Sequence, residues 1–103
     1  NSKMIVYNVT IKIDLDVHDI WVRWMKEDHI LRVMETGCFV SFKMYRILEE
    51  DQSDGIAYAI QYFAKTINDY FDYKEKYATA LQKEAKGMFP DKFVAHRTLL
   101  REV

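Results

Sequence analysis

The sequence predicts an α+β chain of order β-α-β-β-α-β: a four-stranded antiparallel sheet with two helices on one face. Three observations predict it. "MIVYNVTIKID" at the start alternates apolar and polar side chains, the period of a half-buried strand. Two longer segments, from Val17 to Thr36 and from Ile67 to Met88, repeat their apolar residues every three or four positions, the period of a helix. Each helical segment is preceded by a strand pattern and followed by another, and the two middle strands are joined by a short polar loop.

In the first strand Ile5, Tyr7, Val9, Ile11 and Ile13 point one way, and Val6, Asn8, Thr10, Lys12 and Asp14 the other. Asp14 or Asp16 is expected to cap the first helix, because a carboxylate accepts the free N–H groups of the first turn and matches its positive end. Val17, Ile20, Trp21, Trp24, Leu31 and Met34 form the apolar stripe of that helix. Gly37 ends it, since a left-handed residue commonly follows a helix. "CFVSFKMYRILEE" is the second strand, "EDQSDG" a solvated hairpin loop and "IAYAIQYFAKT" the third strand. Thr66 caps the second helix, with Asp69 three residues on. Ile67, Tyr70, Phe71, Lys74, Tyr77, Ala78, Leu81, Ala85 and Met88 form its stripe, and Gly87 and Pro90 close it. "DKFVAHRTLLREV" is the last strand. This is the split βαβ, or ferredoxin-like, plan, and right-handed crossovers set the strand order 4-1-3-2.

Composition bounds the function. A chain of 103 residues suits one domain, taken here as residues 4–103. Asn1, Ser2 and Lys3 are read as a non-native leader before Met4 and enter no functional argument. Fifteen Lys and Arg oppose sixteen Asp and Glu, with no basic block, so the electrostatic footprint of a nucleic-acid binder is missing. Cys38 is the only cysteine, which excludes an internal disulfide and a thiolate zinc cluster and fits a reducing cytoplasm. No apolar run is long enough to span a membrane, and no signal peptide is visible. His18, His29 and His96 share no ligand spacing with each other or with a carboxylate cluster, so no metal is expected.

Half of the residues are hydrophobic and 15% are aromatic, rich for this length. Two helices cover only one face of the sheet. The other is expected to carry Val6, Asn8 and Thr10, then Phe39, Ser41, Lys43 and Tyr45, then Ala59, Gln61 and Phe63. Arg97 is placed there too, with Phe93 and Ala95, as a side chain hard to bury under helices. Such a face is too apolar for water and too polar for a dry core. It fits closure over a second sheet in a homodimer, with a small polar-lined cavity between the sheets.

"MIVYNVTIKID", "WVRWMKEDHI", "TGCF", "YAIQYF" and "DKFVAHRTL" resemble a family of short bacterial proteins known only as a domain of unknown function. The resemblance runs from Met4 to about Leu100. Its most specific element is the passage Trp21–Phe39: tryptophans three apart, then His-Ile, then Thr-Gly. That family has proline after His-Ile, where this chain has Leu31, so the helix is expected to continue past His29. The wider resemblance is to the dimeric α/β-barrel superfamily, in which two ferredoxin-like sheets pair face to face. It includes cofactor-free monooxygenases of the antibiotic-biosynthesis type, haem-degrading enzymes, isomerases and pure ligand-binding modules, so fold alone does not supply function.

The residues leave two readings open. One is a small dimeric module that binds a small hydrophobic or aromatic ligand in the barrel, through Asn8, Phe39, Tyr45, Gln61 and Arg97. The other is a cofactor-independent enzyme of the monooxygenase or isomerase kind, with His29 or Asn8 in the chemistry. His29 would titrate near neutral pH as a general base. Its simpler role is a helix-end histidine satisfied by a carbonyl or by Asp28. Asparagine is depleted in strands, so Asn8 calls for a ligand or a cross-strand hydrogen bond. Haem-degrading members pair such an asparagine with a tryptophan and a second-helix histidine. The second helix here holds no histidine and the third strand no tryptophan, so no haem and no other cofactor is expected. Trp21 and Trp24 are read as core or interface anchors, and His18 as solvated.

Overall fold

The computed structural model describes residues 3–49 and 51–103. Asn1 and Ser2, expected to belong to a leader, and Glu50, expected in the hairpin loop, lie outside the described residues. Four strands, β1 (Ile5–Asp14), β2 (Ser41–Arg46), β3 (Gly55–Ala64) and β4 (Phe93–Arg101), form one antiparallel sheet of order β2-β3-β1-β4. Two helical arms cover one face. The first runs over residues 18–35 as α1 (His18–Trp24), a π-turn (Met25–His29) and α2 (Ile30–Glu35). The second runs over residues 67–88 as α3 (Ile67–Tyr73), a π-turn (Lys74–Ala78) and α4 (Thr79–Met88).

Alternation in β1 is read without a slip: Ile5, Tyr7, Val9, Ile11 and Ile13 are buried beneath the helices, and the residues between them are half-buried on the open face. Because β1 is central, its register carries both neighbours. Tyr7 opposes Tyr62 and Leu99, and Val9 opposes Ile60 and Arg97. On the open face Asn8 opposes Gln61 and Thr98, and Thr10 opposes Ala59 and His96. β1 meets β3 closely at Gly55, where a Cβ would stand 2.9 Å from the Ile13 carbonyl oxygen, so only glycine fits.

The first helix starts differently from expectation. A 3₁₀ turn (Leu15–Val17) precedes it, and neither Asp14 before that turn nor Val17 before α1 makes a side-chain cap. Asp16 instead pairs with Lys92 at 2.7 Å, tying this turn to the start of β4. The second helix begins as its sequence predicts, the Asp69 N–H donating to Thr66 Oγ1 at 3.2 Å. Gly37 follows α2 with φ +77° and its N–H donates to the Met34 carbonyl. The second strand is shorter than its pattern, because residues 38–40 run as a connector before Ser41.

The π-turns change which side chains face inward. A regular helix would turn the positions after Met25 inward at 28, 29 and 32. One extra residue in the π-turn carries the fully buried positions on to Ile30 and Val33, with His29, one turn beyond Met25, half-buried beside them. Ile20 and Leu31, placed on the stripe by a 3.6-residue period, are 65% and 49% exposed. In the second arm the buried residues step from Tyr73 to Ala78 and Leu81, leaving Phe71, Tyr77 and Met88 exposed. The helix does continue past His29, as Leu31 in place of proline allows, but not with regular winding.

Two placements on the open face are corrected. Phe39 is not on β2 but on the connector, where it is 4% exposed and packs in the core against Tyr7, Tyr62 and Tyr73. Arg97, Phe93 and Ala95 lie on the helix side of β4, in register with Val9, Ile13 and Ile11, while Val94, His96, Thr98 and Leu100 take the open face. β4 is an edge strand that the helices do not fully roof, so Arg97 stays exposed on that side and need not be buried to face the helices.

Candidate functional site

A cavity of about 600 Å³ lies between the sheet and the two helical arms, not on the open face of the sheet. Its floor is Val9, Ile11 and Ile60; its walls are Trp21, Trp24, Met25, Val33, Leu81 and Phe89. Polar groups enter from four elements: Tyr7 and Arg97 from adjacent strands, His29 from the first arm and Gln82 from the second. Lys86 and Asp91 also border it. Asp91 has φ +60° in the tight turn into β4, where the Lys92 N–H donates to the Phe89 carbonyl.

His29 is half-buried, its ring stacked on Trp24 with centroids 4.8 Å apart. Burial pushes its pKa below the ordinary histidine value of 6.5; Glu84 and Asp28 oppose the shift, Arg32 and Arg97 add to it. It is therefore a neutral imidazole at pH 7, able to accept one proton and donate another. Tyr7 has its phenol pushed up by burial, with the Arg97 guanidinium and Gln82 as hydrogen-bonding neighbours that pull it back. Around it lie Tyr62, Tyr70 and Tyr73, with ring centroids 5.3 to 6.0 Å from that of Tyr7. Tyr62 and Tyr73, pushed upward by burial, stay protonated throughout the physiological range. Above the cavity the arms are joined by an ion pair between Arg32 and Glu84.

The five residues expected around a ligand do not meet. Arg97 lines the cavity and Phe39 packs behind Tyr7, whereas Asn8, Gln61 and Tyr45 lie on the opposite face. There Asn8, Gln61 and Lys43 form one cross-strand row, and Asn8 Nδ2 donates to Thr10 Oγ1 at 3.1 Å, which supplies the hydrogen bond its place in a strand demands. Lys43 stands over the Phe63 ring, 6.0 Å from its centroid. His29 lines the cavity without Asn8. His18, expected in solvent, is half-buried: its Nε2 is 2.7 Å from the Tyr58 hydroxyl and its Nδ1 is 2.8 Å from Asp19. Tyr7 and Gln82 carry no mark of a ligand residue in the sequence. The alternation of β1 puts Tyr7 on the helix face, where an aromatic reads as plain core. Gln82 is hidden because one polar residue beside Leu81 in a helix is ordinary.

Among the described residues no group of three His, Cys, Asp or Glu side chains gathers as metal ligands. None of the described helices is long and apolar enough to cross a membrane.

Comparison with known proteins agrees with this architecture. Residues 4–103 match the model of the domain of unknown function DUF4286. No curated protein is similar enough in sequence to match. Among solved structures, a candidate antibiotic biosynthesis monooxygenase from Bordetella bronchiseptica superposes with a TM-score of 0.72 at 12% identity, over 98% of both chains. A protein of the ethyl tert-butyl ether D family from Bacillus halodurans gives 0.69 at 10% identity, over 96% of this chain and 99% of that one. A dimeric ferredoxin-like protein from an uncultured marine organism gives 0.61 at 10% identity, over 98% and 96%. Likeness at such identities shows the ferredoxin-like fold.

Proposed function

We propose that this chain, which belongs to the DUF4286 family of domains of unknown function, is a homodimeric small-molecule-binding module of the cytoplasm. Its ligand site is the cavity between sheet and helices. The observation that carries this reading is the cavity itself: about 600 Å³, apolar on most sides, with His29, Tyr7, Arg97 and Gln82 reaching into it and Lys86 and Asp91 at its border. That size and lining are those of sites for small hydrophobic or aromatic ligands. The lone, half-buried Cys38 supports a reducing compartment.

The homodimer is supported by the open face. Val6, Phe63 and Leu100 form an apolar row there, and Tyr45 a second aromatic, beside the polar row of Lys43, Gln61, Asn8 and Thr98. A second copy of the same face would bury the apolar row and pair the polar one. On this reading Asn8, Gln61 and Tyr45 belong to the layer between two sheets rather than to the ligand. A fold neighbour that is itself a dimeric ferredoxin-like protein favours the same arrangement.

A second reading is a cofactor-independent enzyme, with His29 as the base and Arg97 with Tyr7 steadying an oxyanion. Burial keeps the His29 imidazole unprotonated beside the cavity, and that observation favours it.

Thermal melting against a panel of flat apolar compounds tests the ligand site. A ligand at a hundred times its dissociation constant adds about 2.7 kcal/mol, a midpoint shift of roughly ten degrees or more for a domain of this size. Ala95→Trp, placed to fill the cavity, is expected to remove the shift. A folded protein that no member of the panel stabilises would sink the proposal. Sedimentation at micromolar concentration tests the dimer, which requires twice the chain mass.

A further inference from the structure

We infer that the cavity selects an apolar carboxylate, a flat aromatic acid whose carboxylate is read by Arg97 beside Tyr7 while its ring system fills the space against Trp24 and Phe89. The inference rests on the cavity being a ligand site. Arg97 carries it. Among the described residues no carboxylate stands within ion-pair reach of Arg97; its polar neighbour is the Tyr7 phenol. Arg32 pairs with Glu84 and Lys92 with Asp16, so neither of these two cations is left for a ligand. A planar guanidinium bordering an apolar cavity presents parallel N–H groups that match the two oxygens of a carboxylate.

The charge count of the lining points the same way. Arg97 and Lys86 border the cavity against one carboxylate, Asp91. His29 contributes no charge of its own at pH 7, being held neutral, and the tyrosines are protonated. The residual charge of the lining is about one positive unit, which a monoanion balances and a cation does not. The Tyr7 hydroxyl, next to Arg97, can donate to the second carboxylate oxygen. The aromatic body is specified by the walls: the Trp24 ring is already stacked with His29 and meets Phe89 edge-on at 5.4 Å, leaving rigid aromatic surface with little entropy to lose on binding.

Two isosteric probes separate this from the cavity reading: 2-naphthoate and 2-naphthamide, titrated calorimetrically into the full chain at pH 7.5. The carboxylate should bind about tenfold more tightly than the amide, as a charge-assisted hydrogen bond requires. Arg97→Met should remove that preference and leave the amide within about twofold. Arg97 is exposed on an edge strand, so this variant should fold, and a melting curve checks it. The probe ratio on the unaltered chain needs no variant and stands alone if Arg97→Met fails to fold. Equal affinity for the two probes, or equal losses in Arg97→Met, would overturn the inference and leave the ligand site intact. Binding of neither probe overturns it, and the cavity reading falls too if the panel of neutral apolar compounds also fails.

Discussion

The two faces of the sheet are built from the same strands and differ in one respect: what lies over them. Tyr7, Tyr62 and Ile60 face the helices and are at most 5% exposed, whereas their sheet neighbours Asn8, Gln61 and Ala59 are half-buried on the face that neither helical arm covers. The open face has polar residues set among apolar ones, which is the appearance of a lined cavity. The helix face reads as plain core and holds the cavity. Polar flecks along a strand mark a surface that is wet or paired, while a ligand site can sit under an apolar face where two helices stand off from a sheet.

A pair of lysine substitutions separates the two faces with the largest expected effects. Phe39→Lys places a charge among Tyr7, Tyr62 and Tyr73 without a partner, and an uncompensated buried charge costs about 3–5 kcal/mol. For a domain of this size that is a large part of the stability, so the melting midpoint followed by circular dichroism should fall by more than about ten degrees. Phe63→Lys, on the open face, should keep the monomer fold and reduce the sedimenting mass to that of one chain. An unshifted midpoint in Phe39→Lys would mean that the connector and its core contact are wrong. A Phe63→Lys dimer would mean that this face is not the interface.

Much of the fold is legible in the sequence. The strict alternation of β1 assigns both faces of the central strand, and pairing carries that assignment to Ala59, Gln61 and Phe63 on β3. Thr66 and Gly37 mark a helix start and a helix end by their chemistry alone. Phe39 is not legible because Gly37 is followed by three connector residues, and a strand pattern begun too early shifts a side chain to the wrong face. Arg97 is misplaced by the assumption that a side chain facing helices must be buried, which fails at the edge strand. The burial of Ile30 and Val33, where the expected stripe has Leu31, follows a π-turn, and a 3.6-residue period has no means of announcing one.

Acid sharpens the contrast between buried and open polar groups. The folded His29 pKa lies below its unfolded value near 6.5, so the unfolded chain binds a proton more readily. Its contribution to stability is whole above pH 6.5 and is lost as the pH falls from 6.5 through the lowered folded value. Urea midpoints measured from pH 7.5 down to 5 should therefore decline, and His29→Gln should flatten that part of the profile. An unchanged slope in His29→Gln would assign the decline to other groups and place the imidazole in water.

The smallest effect tests how the arms share the cavity. Arg32 and Glu84 join α2 to α4, with side chains 47% and 40% exposed. An ion pair so open to solvent contributes about 0.2–1 kcal/mol, so Glu84→Gln should scarcely move the melting midpoint. Its electrostatic effect on His29 is separate. Glu84 favours the protonated imidazole, and so does Asp28, against Arg32 and Arg97 and against burial. Removing the Glu84 charge leaves Arg32 unopposed on the same side, so the His29 pKa should fall further in Glu84→Gln. Arg32→Gln should raise it, because the cation is lost and the carboxylate remains. Ring-proton shifts of His29 followed by NMR between pH 4 and 8 resolve both directions. Movements of the same sign in the two variants would mean that the helical arms rearrange when the pair is broken. The ion pair would then be holding the cavity open rather than only tuning the histidine inside it.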